Sequence, residues 1–152
     1  MRLPAAIKYG NENVELTQCP IEPSWIIEGN PLARRFVLSR SDDGSAGMIF
    51  WDCTAGRFNW HYGMDESIYF LAGDVTVTDQ QGASHRLTAG DTIFFPAGSS
   101  AEWHVERYVR KVAFCRVPLP RAVFLAKRVY RGVKRMIPGR RTPAPASLFE
   151  PA

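Results

Sequence analysis

The sequence predicts an all-β fold, a barrel or sandwich, followed by one amphipathic helix. Three observations carry this. From Ala33 onward, short β-rich runs recur at about every 8–12 residues. Turn clusters rich in Asp, Gly and Ser separate those runs. After Pro118 and Pro120 the apolar period changes from alternation to a helical repeat.

Residues 1–30 read as irregular, because Pro4, Pro20, Pro23 and Pro31 limit long elements. Arg35–Ser39 reads as a first strand and SDDGSAG (41–47) as a turn. Met48–Cys53 is a second run, rich in large apolar residues. Ser67–Thr78 alternates in two halves around Gly73, and DQQG (79–82) is a hairpin-like turn. Ile93–Phe95, Glu102–Val105 and Arg110–Val117 complete the set. Arg121–Ile137 fits a helix. At about 100° per residue, Ala122, Leu125, Ala126, Val129, Val133, Met136 and Ile137 share one face. Lys127, Arg128, Arg131, Lys134 and Arg135 share the other, Phe124 being the exception. Pro138-Gly139 ends the helix, and the proline-rich residues 139–152 read as a disordered tail.

With 152 residues, 45% hydrophobic and 22% charged, the chain has ordinary globular composition and room for one domain. That length buries a core without disulfides. Three cysteines, Cys19, Cys53 and Cys115, without CxxC spacing, argue against a disulfide framework or structural zinc. They suit a reducing compartment. Met1–Gly10 shows no apolar signal region. No apolar run approaches the roughly 20 residues of a membrane span. The expectation is a cytoplasmic protein. The net charge of +4 is unevenly spread. Residues 118–152 hold eight Lys/Arg against Glu150, so the rest of the chain is mildly acidic. Nucleic-acid binding by the body is therefore not expected.

Two segments carry a family resemblance. Gly56-Arg-Phe-Asn-Trp-His-Tyr-Gly-Met-Asp-Glu66, continuing to Gly73, resembles the first cupin motif. In that motif two His, one residue apart, precede a Glu, and a Gly follows the Glu after six others. Gly90-Asp-Thr-Ile-Phe-Phe-Pro96-Ala-Gly98 resembles the second motif. Trp51-x-Cys53, Asp65-Glu66, Trp103 and Val109-Arg110-Lys111 are similar to the DUF861, ureidoglycine-aminohydrolase-like subgroup. The similarity spans about residues 25–117 and leaves out the helix and tail.

The resemblance implies a double-stranded β-helix, the cupin jelly-roll barrel, lined by Trp51, Asn59, His61, Glu66, Ile68, Phe70, Ala101 and Trp103. In metal-binding cupins three His and one Glu converge inside, and zinc, nickel, iron or manganese suits such a set. Carried over by spacing, the ligand positions are Asn59, His61, Glu66 and Ala101. Only His61 and Glu66 are good ligands, whereas a catalytic site normally supplies three. They are the metal and catalytic candidates, and alternatively a hydrogen-bonded polar pair. His104 is expected to face outward, His85 to be exposed, and Asp91 to cap a turn. Cys53 is expected to be buried and inert.

These readings lead to a cupin that binds a small polar organic molecule beside a degenerate metal site. Two alternatives stand beside it. One is a metal-dependent enzyme acting on a small carbon–nitrogen or sugar-like substrate. The other is a non-catalytic sensor or scaffold docked by its basic helix. Residues 121–137 could meet an anionic membrane surface. Family analogy adds a homodimer formed through edge strands.

Overall fold

Three long strands organise the molecule, each long enough to take part in two stretches of sheet. In chain order the strands are β1 (Thr17–Gln18), β2 (Ile26–Gly29), β3 (Ala33–Arg40), β4 (Ala46–His61), β5 (Asp65–Asp79), β6 (Ser84–Thr88), β7 (Thr92–Phe95) and β8 (Ser100–Arg116). The computed structural model describes residues 13–120, together with Ala6 and positions 122, 123, 125, 126, 129 and 130. All pairings among the described residues are antiparallel. The order is β1-β3-β4-β8-β5-β6, with β2 also on β4 and β7 also on β5. This is an all-β, antiparallel architecture consistent with a cupin jelly roll.

β4 and β5 each change one partner midway, at breaks in register, while β8 keeps both of them along its length. β4 shifts between Thr54 and Gly56, leaving β3 for β2. β5 shifts between Phe70 and Ala72 and again between Gly73 and Thr76, leaving β7 for β6. Extra residues at such points bend a strand and raise its twist. Gly73 makes the second bend possible. Its φ is 73°, and a Cβ there would collide with the Tyr108 carbonyl oxygen on β8.

Alternation then sorts side chains by face. On β8, Ala101, Trp103 and Val105 are buried, and beyond the bend so are Val109, Lys111 and Ala113. On β5, Glu66, Ile68, Phe70, Val75 and Val77 are buried. Burying a large apolar side chain contributes about 1.5–3 kcal/mol. A core holding Trp51, Phe58, Phe70, Phe95 and Trp103 is therefore the main stabilising term.

Several expectations are refined by this arrangement. Glu102–Val105 and Arg110–Val117, read as two strands, are one continuous β8 crossing the whole barrel. The expected irregular N-terminal segment contributes β1 and β2. Its prolines still govern it: Pro20 and Pro31 fall outside strands, and Pro23 opens a single 3-10 turn. β6 is paired although its sequence carries weak strand signal. The turn at 79–82 is present, with Gly82 N–H donating to the Asp79 carbonyl. The chain divides at Pro118, and the described positions between 122 and 130 have helical backbone. The helix expected over 121–137 as a whole, and the tail 139–152, lie outside the described residues. Among the described residues no helix is long and apolar enough to cross a membrane.

Candidate functional site

The site is set by which residues of β4 face inward as it approaches the turn into β5. Phe58 is fully buried, Asn59 exposed, Trp60 half-buried, His61 exposed and Tyr62 buried. The inward positions next to Glu66 are thus Trp60 and Tyr62. Asn59 and His61, expected inside, lie on the opposite face. The cause is the two-residue period of a strand, in which one step of offset turns every side chain over. His61 instead sets its ring edge-on to Trp25, 5.0 Å between centroids. The other six expected lining residues, Trp51, Glu66, Ile68, Phe70, Ala101 and Trp103, are all buried together.

Tyr62 ties the two motif segments to each other. Its backbone exchanges hydrogen bonds with the Pro96–Ser99 turn: Gly98 N–H donates to its carbonyl, and its own N–H donates to Ser99. Its ring stacks on Phe95 at 4.2 Å, and its hydroxyl accepts from Trp103 Nε1 at 3.0 Å. Burial, aided by the charge of Glu66, pushes the Tyr62 phenol far above its ordinary value, so it stays neutral. Asp65 clamps the same turn, accepting from Ala97 N–H and pairing with Arg116 at 2.7 Å. The Ala97 bond first, then Arg116, holds its carboxyl below the usual range.

Glu66 does not pair with His61. Its partner is Lys111, whose Nζ donates to Glu66 Oε1 at 2.6 Å. Lys111 is 4% exposed and Glu66 7%. The ammonium also lies 4.9 Å from the Trp51 ring centroid and 4.7 Å from that of Trp103. It is therefore held by a carboxylate and two aromatic faces, each attracting a cation. Sequence reasoning passed over Lys111, noting it only as part of Val109-Arg110-Lys111. The usable signal was its register: it stands two residues from Val109 and two from Ala113, both fully buried, so it belongs to the inward face.

A chain of edge-on aromatic contacts leads from this pair toward the surface. Trp103 meets Trp51 at 5.8 Å, Trp51 meets Trp60 at 6.0 Å, and Trp60 meets Trp25 at 5.5 Å. Trp25 and Trp60 are half-buried. The thiols add no reactive group. Burial raises Cys53 to about 12 and Cys115 to about 11, and Cys19 also rises chiefly through burial. A nucleophilic cysteine needs the opposite shift. His104 and His85 are exposed, and Asp91 accepts from Thr88 N–H and hydroxyl within its turn.

A divalent ion does not fit these residues. The positions expected to supply ligands present an outward His61, an outward Asn59 and Ala101, which has no donor atom. Glu66 faces inward but is engaged by Lys111. Among the described residues no group of three His, Cys, Asp or Glu side chains is arranged to hold a metal.

Residues 40–113 match the model of the EutQ-like cupin domain. The chain carries a cupin domain of the EutQ-like, DUF861 family. A DUF861 protein of unknown function from Pseudomonas syringae is similar at 25% identity, with a TM-score of 0.64 over 69% of this chain and 46% of that one. The Clostridium difficile EutQ protein matches at 21% identity and a TM-score of 0.51, over 57% of this chain and 63% of that one. KdgF from Halomonas sp. has the same fold at 13% identity and a TM-score of 0.55, covering 74% and 96%. The cupin thus spans less than two thirds of the first two structures. No protein of curated function matches it.

Proposed function

We propose that this cupin is a metal-independent binder of a small polar organic molecule, with Lys111 as the fixed cation of its jelly-roll barrel. The observation that supports this is the Lys111–Glu66 pair sealed between Trp51 and Trp103. Taking two charges out of water costs several kcal/mol per ion, and well-packed apolar residues often serve stability as well or better. An ion pair kept inside an aromatic barrel therefore reads as chemistry retained for a ligand. The ammonium has three N–H donors, one engaged by Glu66. The remaining donors suit an acceptor oxygen of a carboxylate or carbonyl compound. Trp25 and Trp60 stand at the surface end of the aromatic chain and would form the entrance.

Glycolate, glyoxylate and acetamide span the relevant oxygen acceptors. Thermal unfolding and tryptophan emission of the full chain are measured with each. Stabilisation by at least one of them, lost in Lys111→Met, is the expected result. Zinc, nickel, iron(II) and manganese should bind below stoichiometry. A stoichiometric metal retained by the wild type and released by Glu66→Gln would establish the metal-dependent enzyme instead.

A further inference from the structure

One register row crosses the inner face of the barrel from its core to its rim. Phe70 on β5 stands opposite Lys111, Lys111 opposite Trp51, Trp51 opposite Arg35, and Arg35 opposite Thr17 on β1. Residues paired in this way share one face of a sheet. Phe70, Lys111 and Trp51 are buried, whereas Arg35 and Thr17 are exposed. Arg35 is thus a guanidinium of the inner face, standing where the row opens to solvent. Among the described residues it forms no ion pair, unlike its neighbour Arg34, which is held by Asp52.

The buried part of the same row carries an unmet donor. Trp51 is 3% exposed, and among the described residues no acceptor takes a hydrogen bond from its Nε1–H. Native interiors rarely leave a buried donor unpaired, because its lost hydration is not replaced. The direction of this N–H is marked by Cys19. The Cys19 N–H donates to the Ala33 carbonyl, so the half-buried thiol lies beside β3, two residues from Arg35 and on the same face. Burial raises this thiol, and the Arg35 charge and the Trp51 N–H both oppose the rise. The guanidinium and the indole nitrogen therefore meet at one place on the rim.

We infer that Arg35 and Trp51 Nε1 form a carboxylate subsite, and that the molecule bound in the barrel is a short hydroxy- or oxo-acid. Its carboxylate lies on Arg35 and the Trp51 N–H, and its neutral oxygen lies on Lys111. The inference rests on the reading of Lys111 as the cation of the site, and it adds the ligand's orientation and charge.

Charge decides which end goes where. Lys111 is already neutralised by Glu66 at 2.6 Å, so a second carboxylate on its ammonium would face Glu66 as a like charge. A hydroxyl or carbonyl oxygen meets no such repulsion there. Arg35 holds the uncompensated positive charge of the row, and a guanidinium presents paired N–H donors that match a carboxylate. The indole N–H is a donor only and suits the same acceptor. The row then closes as two cations against two anions. Spacing limits the length of the ligand. Lys111 Nζ lies over the face of the Trp51 indole, 4.9 Å from its ring centroid, whereas Nε1 lies at its edge. The two anchors are set apart by one ring, which selects a short carbon chain.

The test is calorimetric titration of the full chain with two acids, glycolate and 3-hydroxypropionate, and with their uncharged amides. At least one acid should bind more tightly than its amide. Arg35→Gln, at an exposed position, should weaken that acid by about 10–100-fold and bring it level with the amide, whose own affinity stays unchanged. Trp51→Phe, which keeps a ring and removes the donor, should weaken the acid by at least about threefold. Lys111→Met should weaken acid and amide alike. The acid should also slow alkylation of Cys19 by N-ethylmaleimide in the wild type and not in Arg35→Gln. An acid no tighter than its amide, or one untouched by Arg35→Gln, overturns the subsite and leaves Lys111 as the ligand's cation. An acid that needs Arg35 and survives Lys111→Met keeps the rim subsite and overturns Lys111 as its second anchor. A wild type that binds neither acid nor amide overturns both.

Discussion

Among the described residues two acidic side chains are deeply buried, Asp52 and Glu66, and the fold treats them in opposite ways. Asp52 lies on the outer face of β4, 2% exposed. Arg34 Nε reaches its Oδ1 at 3.0 Å, and the Tyr108 hydroxyl reaches Oδ2 at 3.0 Å. The Arg34 side chain is 50% exposed, so its charge keeps much of its hydration. Glu66 lies inside the barrel, and its cation is as buried as it is. The outer cluster joins β3, β4 and β8 across their hydrogen-bonded register and works as a fold clasp. The inner pair joins β5 to β8, which 12 ladder pairs already hold together. Under the proposed function, its ionic character serves a ligand and not the fold.

The largest effect should come from breaking the inner pair. Lys111→Met leaves a buried carboxylate without its cation and should lower stability by about 3–5 kcal/mol. The double variant Lys111→Met with Glu66→Leu should recover most of that loss, because an apolar replacement of a buried ion pair is often neutral or stabilising. Chemical unfolding of both variants reads this directly. A double variant as unstable as the single one would make the pair structural, and the contrast with Asp52 would collapse.

A smaller effect is expected at the outer cluster. Asp52→Asn keeps the shape but weakens the charge-assisted bonds. Hydrogen bonds to charged groups contribute about 1.5–3 kcal/mol. The exposed Arg34 places this case toward the lower end. No compensating second substitution should restore it, because the Tyr108 hydroxyl and Arg34 both lose the same acceptor. Unfolding curves for Asp52→Asn, alone and with Arg34→Met, check this.

These two regions also mark how far the sequence could be read. The strands over 35–39, 48–53, 67–78 and 93–95 were legible because alternation is a local property, and the family likeness rested on spaced motif residues such as Gly73, Pro96 and Gly98. Gly73 is needed where a Cβ would strike Tyr108, and that is visible as a spacing. The interior was legible in part: the family resemblance implied Trp51, Ile68, Phe70, Ala101 and Trp103 as lining residues, and all five are buried. Counting failed across the turn between His61 and Glu66, because a turn does not preserve the parity of a strand. One residue of offset exchanged Asn59 and His61 for Trp60 and Tyr62. Lys111 was missed for a different reason. A lysine reads as a surface residue unless its strand neighbours are known to be buried, and its partner sits 45 positions away.

The smallest effect is expected where the sequence pointed first. His61 is exposed and meets the edge of Trp25, itself half-buried. Substitutions at such positions usually change stability by no more than about 0.5 kcal/mol. His61→Ala should therefore unfold like the wild type, and its response to zinc or nickel should be unchanged, since among the described residues no group of three His, Cys, Asp or Glu side chains is arranged to hold a metal. Its effect on glycolate or glyoxylate should be confined to the entrance. Affinity should shift only slightly, through Trp25, whereas Lys111→Met should abolish the proposed binding. Calorimetric titration of the two variants side by side would separate an entrance residue from the cation proposed to hold the ligand. An equal loss in both would return His61 to the centre of the site.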